Sequence, residues 1–107
     1  MAIGVPRGSR EDIPEPILNV LEKYQADHPN SEIAIYAQNE LSFRIRIVNP
    51  AFAGKDRVER SRPVWRYLDS LPEETQSDIT MLVLVTADEM PRSTANLEFE
   101  DPVHSIL

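Results

Sequence analysis

The sequence predicts an α+β domain of order α-β-β-(turn)-α-β, a three-stranded sheet with helices packed on one face. Three patterns carry that reading. Ile17, Val20, Leu21 and Tyr24 recur at i, i+3, i+4 and i+7, one face of a helix. Ile33 and Ile35, then Leu41, Phe43, Ile45 and Ile47, alternate with other residues at the two-residue period of a half-buried hairpin. Ile79 to Val85 is a run of strand length that is apolar except for Thr80. At 107 residues, 41% of them hydrophobic, the chain holds one modest core and no second domain.

The elements follow in order. Residues 1–14 contain Gly4, Pro6, Gly8 and Pro14 without periodicity and read as a flexible arm. The first helix is expected over 15–27, with Pro16 near its start and Pro29 beyond its end. In the hairpin, a three-residue loop Ala37-Gln38-Asn39 pairs Ile35 with Leu41, Ile33 with Phe43 and Glu32 with Arg44, and puts Asn39 in a left-handed conformation. Asp56 and Glu59 have capping-box spacing, so a helical turn should begin at Arg57. Pro63 should break it, giving a turn over 57–61 and a helix over 62–71 with Ser61 near its cap. Pro72 to Asp78 reads as an acidic loop with room for one helical turn. Ile79 to Val85 reads as a strand covered on both faces or central in the sheet. The domain proper therefore spans 15–90, and 91–107 is an acidic tail in which Leu97 and Phe99 form an edge strand or stay disordered.

Composition excludes several classes of function. No cysteine is present, which removes disulfides and thiol chemistry. No apolar run reaches the length of a membrane span, and Met1 to Arg10 lack a secretory signal's apolar stretch, so a cytoplasmic protein is expected. A net charge of −7 disfavours wholesale nucleic-acid binding. That total is segregated, however: residues 1–43 sum to −4, 44–66 to +5 and 67–107 to −8. Fields follow distribution as well as total charge, so the middle of the chain can present a local positive surface.

Catalytic and metal-binding signals are weak. His28 and His104 are the only histidines, and neither has a second ligand at recognisable spacing, so no metal and no cofactor is expected. His28 reads as a helix C-terminal residue favoured by the dipole. Glu73-Glu74 and Asp88-Glu89 read as solvated carboxylates, and three glycines supply no phosphate loop or nucleophile elbow. The chain is not read as an enzyme. The terminal Ser105-Ile106-Leu107 loosely fits capture of a carboxylate by a partner domain, and Trp65 at helical spacing from Leu68 reads as core. The feature with a plausible ligand is the basic cluster Lys55, Arg57, Arg60, Arg62 and Arg66, with Ser61 among it, at a turn and helix start where free N–H groups also favour anions. The competing reading is that these arginines hold the acidic segments 73–78 or 98–101.

The stretch Phe43-Arg44-Ile45-Arg46-Ile47-Val48-Asn49-Pro50-Ala51-Phe52-Ala53-Gly54, followed by Glu59-Arg60-Ser61-Arg62-Pro63-Val64, resembles the second strand, Phe-x-Gly connection and Arg-His-Arg-x-Val signature of the BolA family. The resemblance covers residues 15 to 90 and implies a fold related to class II KH domains. It also implies a partner: a monothiol glutaredoxin, with which the family shares an iron–sulfur cluster through the signature histidine and a Cys or His of the first hairpin loop. Ser61 stands at the histidine position, and Ala37, Gln38, Asn39 and Glu40 offer no second ligand. The expected function is a regulatory or adaptor domain binding a protein or nucleic acid through the basic surface. The alternatives are a glutaredoxin-partner adaptor with degenerate ligands and a small structural homodimer.

Overall fold

The computed structural model describes residues 3–101. Its centre is a three-stranded sheet of order β1-β2-β3, with β1 at Glu32–Asn39, β2 at Ser42–Val48 and β3 at Ile79–Val85. β1 runs antiparallel to β2, and β3 runs parallel to it. A parallel partner requires a long crossover, and residues 49–78 provide it. Within the crossover lie a buried Phe52, Gly54 at φ +76°, the helix α2 (Arg57–Leu68, counting Glu15–Asp27 as α1) and the short α3 (Glu73–Ser77).

The alternation along β2 divides the interior in two. Phe43, Ile45 and Ile47 face a core shared with Ile33 and Ile35, the α1 residues Ile17, Leu18, Leu21 and Tyr24, and the α2 residues Val64 and Leu68. The opposite face carries Ala34, Tyr36, Val48, Val83 and Val85 around Phe99. Helices therefore pack on one face as expected, and a fourth helix covers the other.

That helix, α4 (Thr94–Glu100), replaces the edge strand or disorder expected around Leu97 and Phe99. Ser93 caps it by accepting from the Asn96 N–H at 3.1 Å. Asn96 and Phe99 turn inward at helical spacing while Leu97 stays exposed. The alternation of Leu97 and Phe99 misleads because the second buried residue of the face is polar. Tyr36 donates its phenol to the Phe99 carbonyl at 2.8 Å, Arg44 pairs with Glu98 at 3.0 Å, and Arg46 pairs with Glu100 at 2.7 Å.

The hairpin keeps the expected parity with a register four residues away. Ile33 pairs with Ile47, Ile35 with Ile45 and Ala37 with Phe43, while Glu32 faces Val48 and Arg44 faces Tyr36. The turn is Glu40-Leu41, with the irregularity between Ala37 and Asn39. Among the described residues no non-glycine has positive φ, so Asn39 is not left-handed; its side chain accepts from the Leu41 N–H at 2.9 Å. The expected register would have set Ile45 against Ser31 and Ile47 against Pro29. The observed one pairs isoleucine with isoleucine and leaves only Leu41 exposed at the tip.

Two other segments differ from expectation. α2 is continuous through Pro63, and its cap is Asp56, not Ser61. The Asp56–Glu59 capping box forms at 2.8 and 2.9 Å, as the spacing predicts. Pro63 deprives only the carbonyl of Glu59, an exposed residue, while Val64 and Leu68 just beyond it are buried. The arm is docked where it is described. Ile3 and Ile13 are buried, and Gly4 bonds the outer edge of β1 through the Ile33 carbonyl and the Ile35 N–H, both at 2.9 Å. β3 is an edge strand rather than a central one, with both faces covered.

Because Phe99 is 1% exposed and centres the second core, Phe99→Ala should destabilise the fold by about 3–5 kcal/mol in denaturant unfolding. A loss below about 1 kcal/mol would show that α4 is not part of the cooperative unit.

Candidate functional site

The free side of β3 forms the floor of a groove of about 870 Å³. One wall is the crossover and α2, with Lys55, Arg57, Arg60, Ser61 and Trp65. The other is the segment after β3, a 3-10 helix at Ala87–Arg92 and the start of α4, with Glu89, Arg92, Ser93 and Ala95. The volume lies within the ~300–1,000 Å³ range of ligand pockets.

The six basic-cluster residues divide between surfaces. Lys55, Arg57, Arg60 and Ser61 line the groove. Arg66 lies in a smaller hollow of about 260 Å³ with His28, Pro63 and Tyr67, and Arg62 is exposed outside both. Lys55, Arg57, Arg62 and Arg66 make no ion pair with another described residue. Glu98 and Glu100 pair instead with Arg44 and Arg46 across the other face of the sheet.

Arg60 stands apart, because its guanidinium is already engaged. Its Nε donates to the Lys55 carbonyl at 2.9 Å, and its terminal nitrogens grip Glu89 at 2.7 and 2.9 Å. One of those nitrogens also donates to the Leu84 carbonyl at 2.9 Å, and the group lies 5.8 Å from the Phe52 ring centre. Arg60 thus ties the connection, the strand end and the following turn together. Glu89, read from sequence as solvated, is its counterpart and also accepts from the Thr86 N–H at 3.1 Å. The signal that could have found it is the Thr86-x-x-Glu89 spacing of a helix start.

Hydrogen bonds from Arg60 and then from the Thr86 amide hold the Glu89 carboxyl well below its ordinary 4.5, at about 2, and the same carboxylate raises the Arg60 pKa.

The residues that a cluster or metal would need do not fit one. The Ser61 hydroxyl donates to the Val58 carbonyl at 3.2 Å, and hydroxyl oxygen is a poor ligand for iron. His28 is turned away, with Nδ1 2.9 Å from the Tyr24 carbonyl and its ring stacked 4.1 Å from that of Tyr24, a helix-capping role. Among the described residues no group of three or more His, Asp or Glu could hold a metal ion. His104 and Ser105-Ile106-Leu107 lie outside the described residues. Trp65 packs against the core and also lines the groove, and the Tyr67 phenol donates to Asp27 at 2.6 Å. No described helix is long and apolar enough to cross a membrane.

The depressed Glu89 pKa gives a signed pH dependence. The stabilisation is complete above about 4.5 and lost as pH falls toward about 2. The stability gap between wild type and Glu89→Gln, measured by denaturant unfolding, should be constant near neutrality and shrink through that window. A gap independent of pH would exclude the ionised pair as its source.

No curated protein matches the chain significantly, and no solved structure does. Residues 17–87, about two thirds of the chain, match the family model described as BolA-like protein, a span running from the first buried residue of α1 to the turn after β3. With the three-stranded sheet, the Phe52–Gly54 connection and α2 in the predicted order, the chain belongs to the BolA-like family.

Proposed function

We propose that the chain is a non-enzymatic BolA-type regulatory or adaptor domain of the cytoplasm that binds a protein partner at the groove between α2 and β3. The observation that carries this reading is the pairing pattern of the charges. Glu98 and Glu100 are taken up on the opposite face of the sheet, while Lys55 and Arg57 stand on the groove wall without an acidic partner among the described residues. Unpaired cations beside a partly apolar floor suit a partner that brings carboxylates. Arg62 and Arg66 lie farther along α2, on surfaces separate from the groove. Ser61 acts as a wall residue here and not as a ligand, so the partner is held by charge and shape with no cluster shared between the two chains.

A monothiol glutaredoxin is the partner to test first, by the family relation. Calorimetry should show binding that weakens about tenfold in Lys55→Glu/Arg57→Glu, as loss and reversal of two interfacial charges requires. Affinity unchanged by the double reversal rules out the groove wall. The spectrum of a co-purified complex should show no iron–sulfur absorbance that depends on Ser61; an absorbance lost in Ser61→Ala would restore a cluster-sharing role. Oligonucleotide binding at low salt that the same reversal abolishes would transfer the surface to a nucleic-acid partner.

A further inference from the structure

The two edges of the sheet are closed to different extents. On β1, the Ile33 carbonyl and Ile35 N–H are taken by the backbone of Gly4. On β3, the ladder itself tells which groups point outward. Asn49 donates to the Val85 carbonyl at 3.0 Å and the register sets Ile47 beside Leu84, so Met81, Val83 and Val85 direct their main-chain groups toward β2. Leu82 and Leu84 direct theirs outward, into the groove. The next outward residue is Thr86.

Arg60 and Glu89 occupy the last rung of that edge. Arg60 donates to the Leu84 carbonyl and Glu89 accepts from the Thr86 N–H, at 2.9 and 3.1 Å. These are the two bonds that one residue of a neighbouring parallel strand would make, so the ion pair substitutes for a strand at one end of the edge. Among the described residues nothing equivalent engages the N–H and C=O of Leu82 or the N–H of Leu84. They form a pairing edge on the floor of a groove whose walls stand back to leave about 870 Å³.

We infer that the β3 edge, at Leu82 and Leu84, binds an extended acidic segment of a partner protein by strand addition, alongside Lys55 and Arg57 and ending at the Arg60–Glu89 pair. The inference rests on the groove being the binding surface and specifies how it is read: main-chain bonds to β3 supply affinity, and the basic wall selects carboxylate side chains. Charge decides the occupant. Lys55, Arg57 and Arg92 line the groove, and the one carboxylate among its described lining residues, Glu89, is consumed by Arg60. A second copy pairing β3 with β3 about a two-fold axis would bring one basic wall against another, which disfavours self-association. A nucleic acid would leave the outward amides of Leu82 and Leu84 without main-chain partners.

The test is an NMR titration of the full-length ¹⁵N-labelled chain at low salt with a short acetylated and amidated peptide of alternating valine and glutamate. Its controls are the same peptide N-methylated at alternate amides, its lysine counterpart and an oligothymidine. The acidic peptide should shift the Leu82 and Leu84 amides and slow their hydrogen exchange, and N-methylation of the bonded edge should weaken binding about tenfold or more. The lysine peptide should not bind. Equal affinity for the N-methylated peptide, with Lys55 and Arg57 still perturbed, would overturn strand addition while leaving the groove reading intact. Perturbation by oligothymidine alone would overturn the protein segment in favour of nucleic acid. No perturbation of the groove by any probe would overturn strand addition, and reversal-insensitive glutaredoxin binding would separately remove the groove.

Discussion

Among the described residues β2 is the only strand with another strand on each side, and its two-residue period fixes what every other element can do. Phe43, Ile45 and Ile47 give α1 and α2 an apolar floor. Arg44, Arg46 and Val48 face the other way, where a mixed polar and apolar surface can be covered only by an element that brings both carboxylates and an aromatic ring. α4 brings them: Glu98 and Glu100 for the arginines, Phe99 for the space between, and an Arg46 guanidinium 5.0 Å from the Phe99 ring centre. A one-residue slip of β2 would put arginines into the first core and isoleucines beneath α4. The register is therefore tied to both packing layers at once.

The parallel placement of β3 has a consequence for the surface. A third strand joined by a hairpin would leave its edge far from the connection before it. The crossover instead returns α2 alongside β3, so the start of α2 and the edge of β3 become the wall and floor of one groove. Gly54 in the left-handed region and Asp56 as helix cap set where α2 begins. That start carries Lys55 and Arg57 to the groove and brings Arg60, one turn later, within reach of Leu84 and Glu89. A residue in the family-like stretch, expected to be an anion ligand, thus serves as an internal clasp.

What was legible in the sequence follows from what periodicity can express. α1, the three strands and the Asp56 cap were legible because each has apolar spacing or a local hydrogen-bond signature. The parity of the hairpin was legible too. Its register was not, since parity alone does not separate a turn that spends Leu41 on the core from one that leaves it at the tip and pairs isoleucine with isoleucine. α4 was hidden because Asn96, buried against the sheet, carries no hydrophobic signal. The basic cluster could be counted, but its division between a groove, a second hollow and an open face depends on the rotation of α2. Arg60's engagement depends on Glu89, 29 residues away in sequence and acidic in an unremarkable acidic stretch.

The net charge of −7 then acquires a spatial meaning. Part of the positive middle of the chain, Arg44 and Arg46, is neutralised beneath α4, and Arg60 is neutralised by Glu89. Of the rest of that positive middle, Lys55 and Arg57 stand unpaired among the described residues at the start of α2, so an acidic protein presents a basic wall to the groove. An exposed strand edge ordinarily invites indiscriminate pairing. Here the pair at its end closes one rung, α2 and α4 flank the groove, and the basic wall disfavours a second copy. The same three features that protect the edge from aggregation also define what can occupy it.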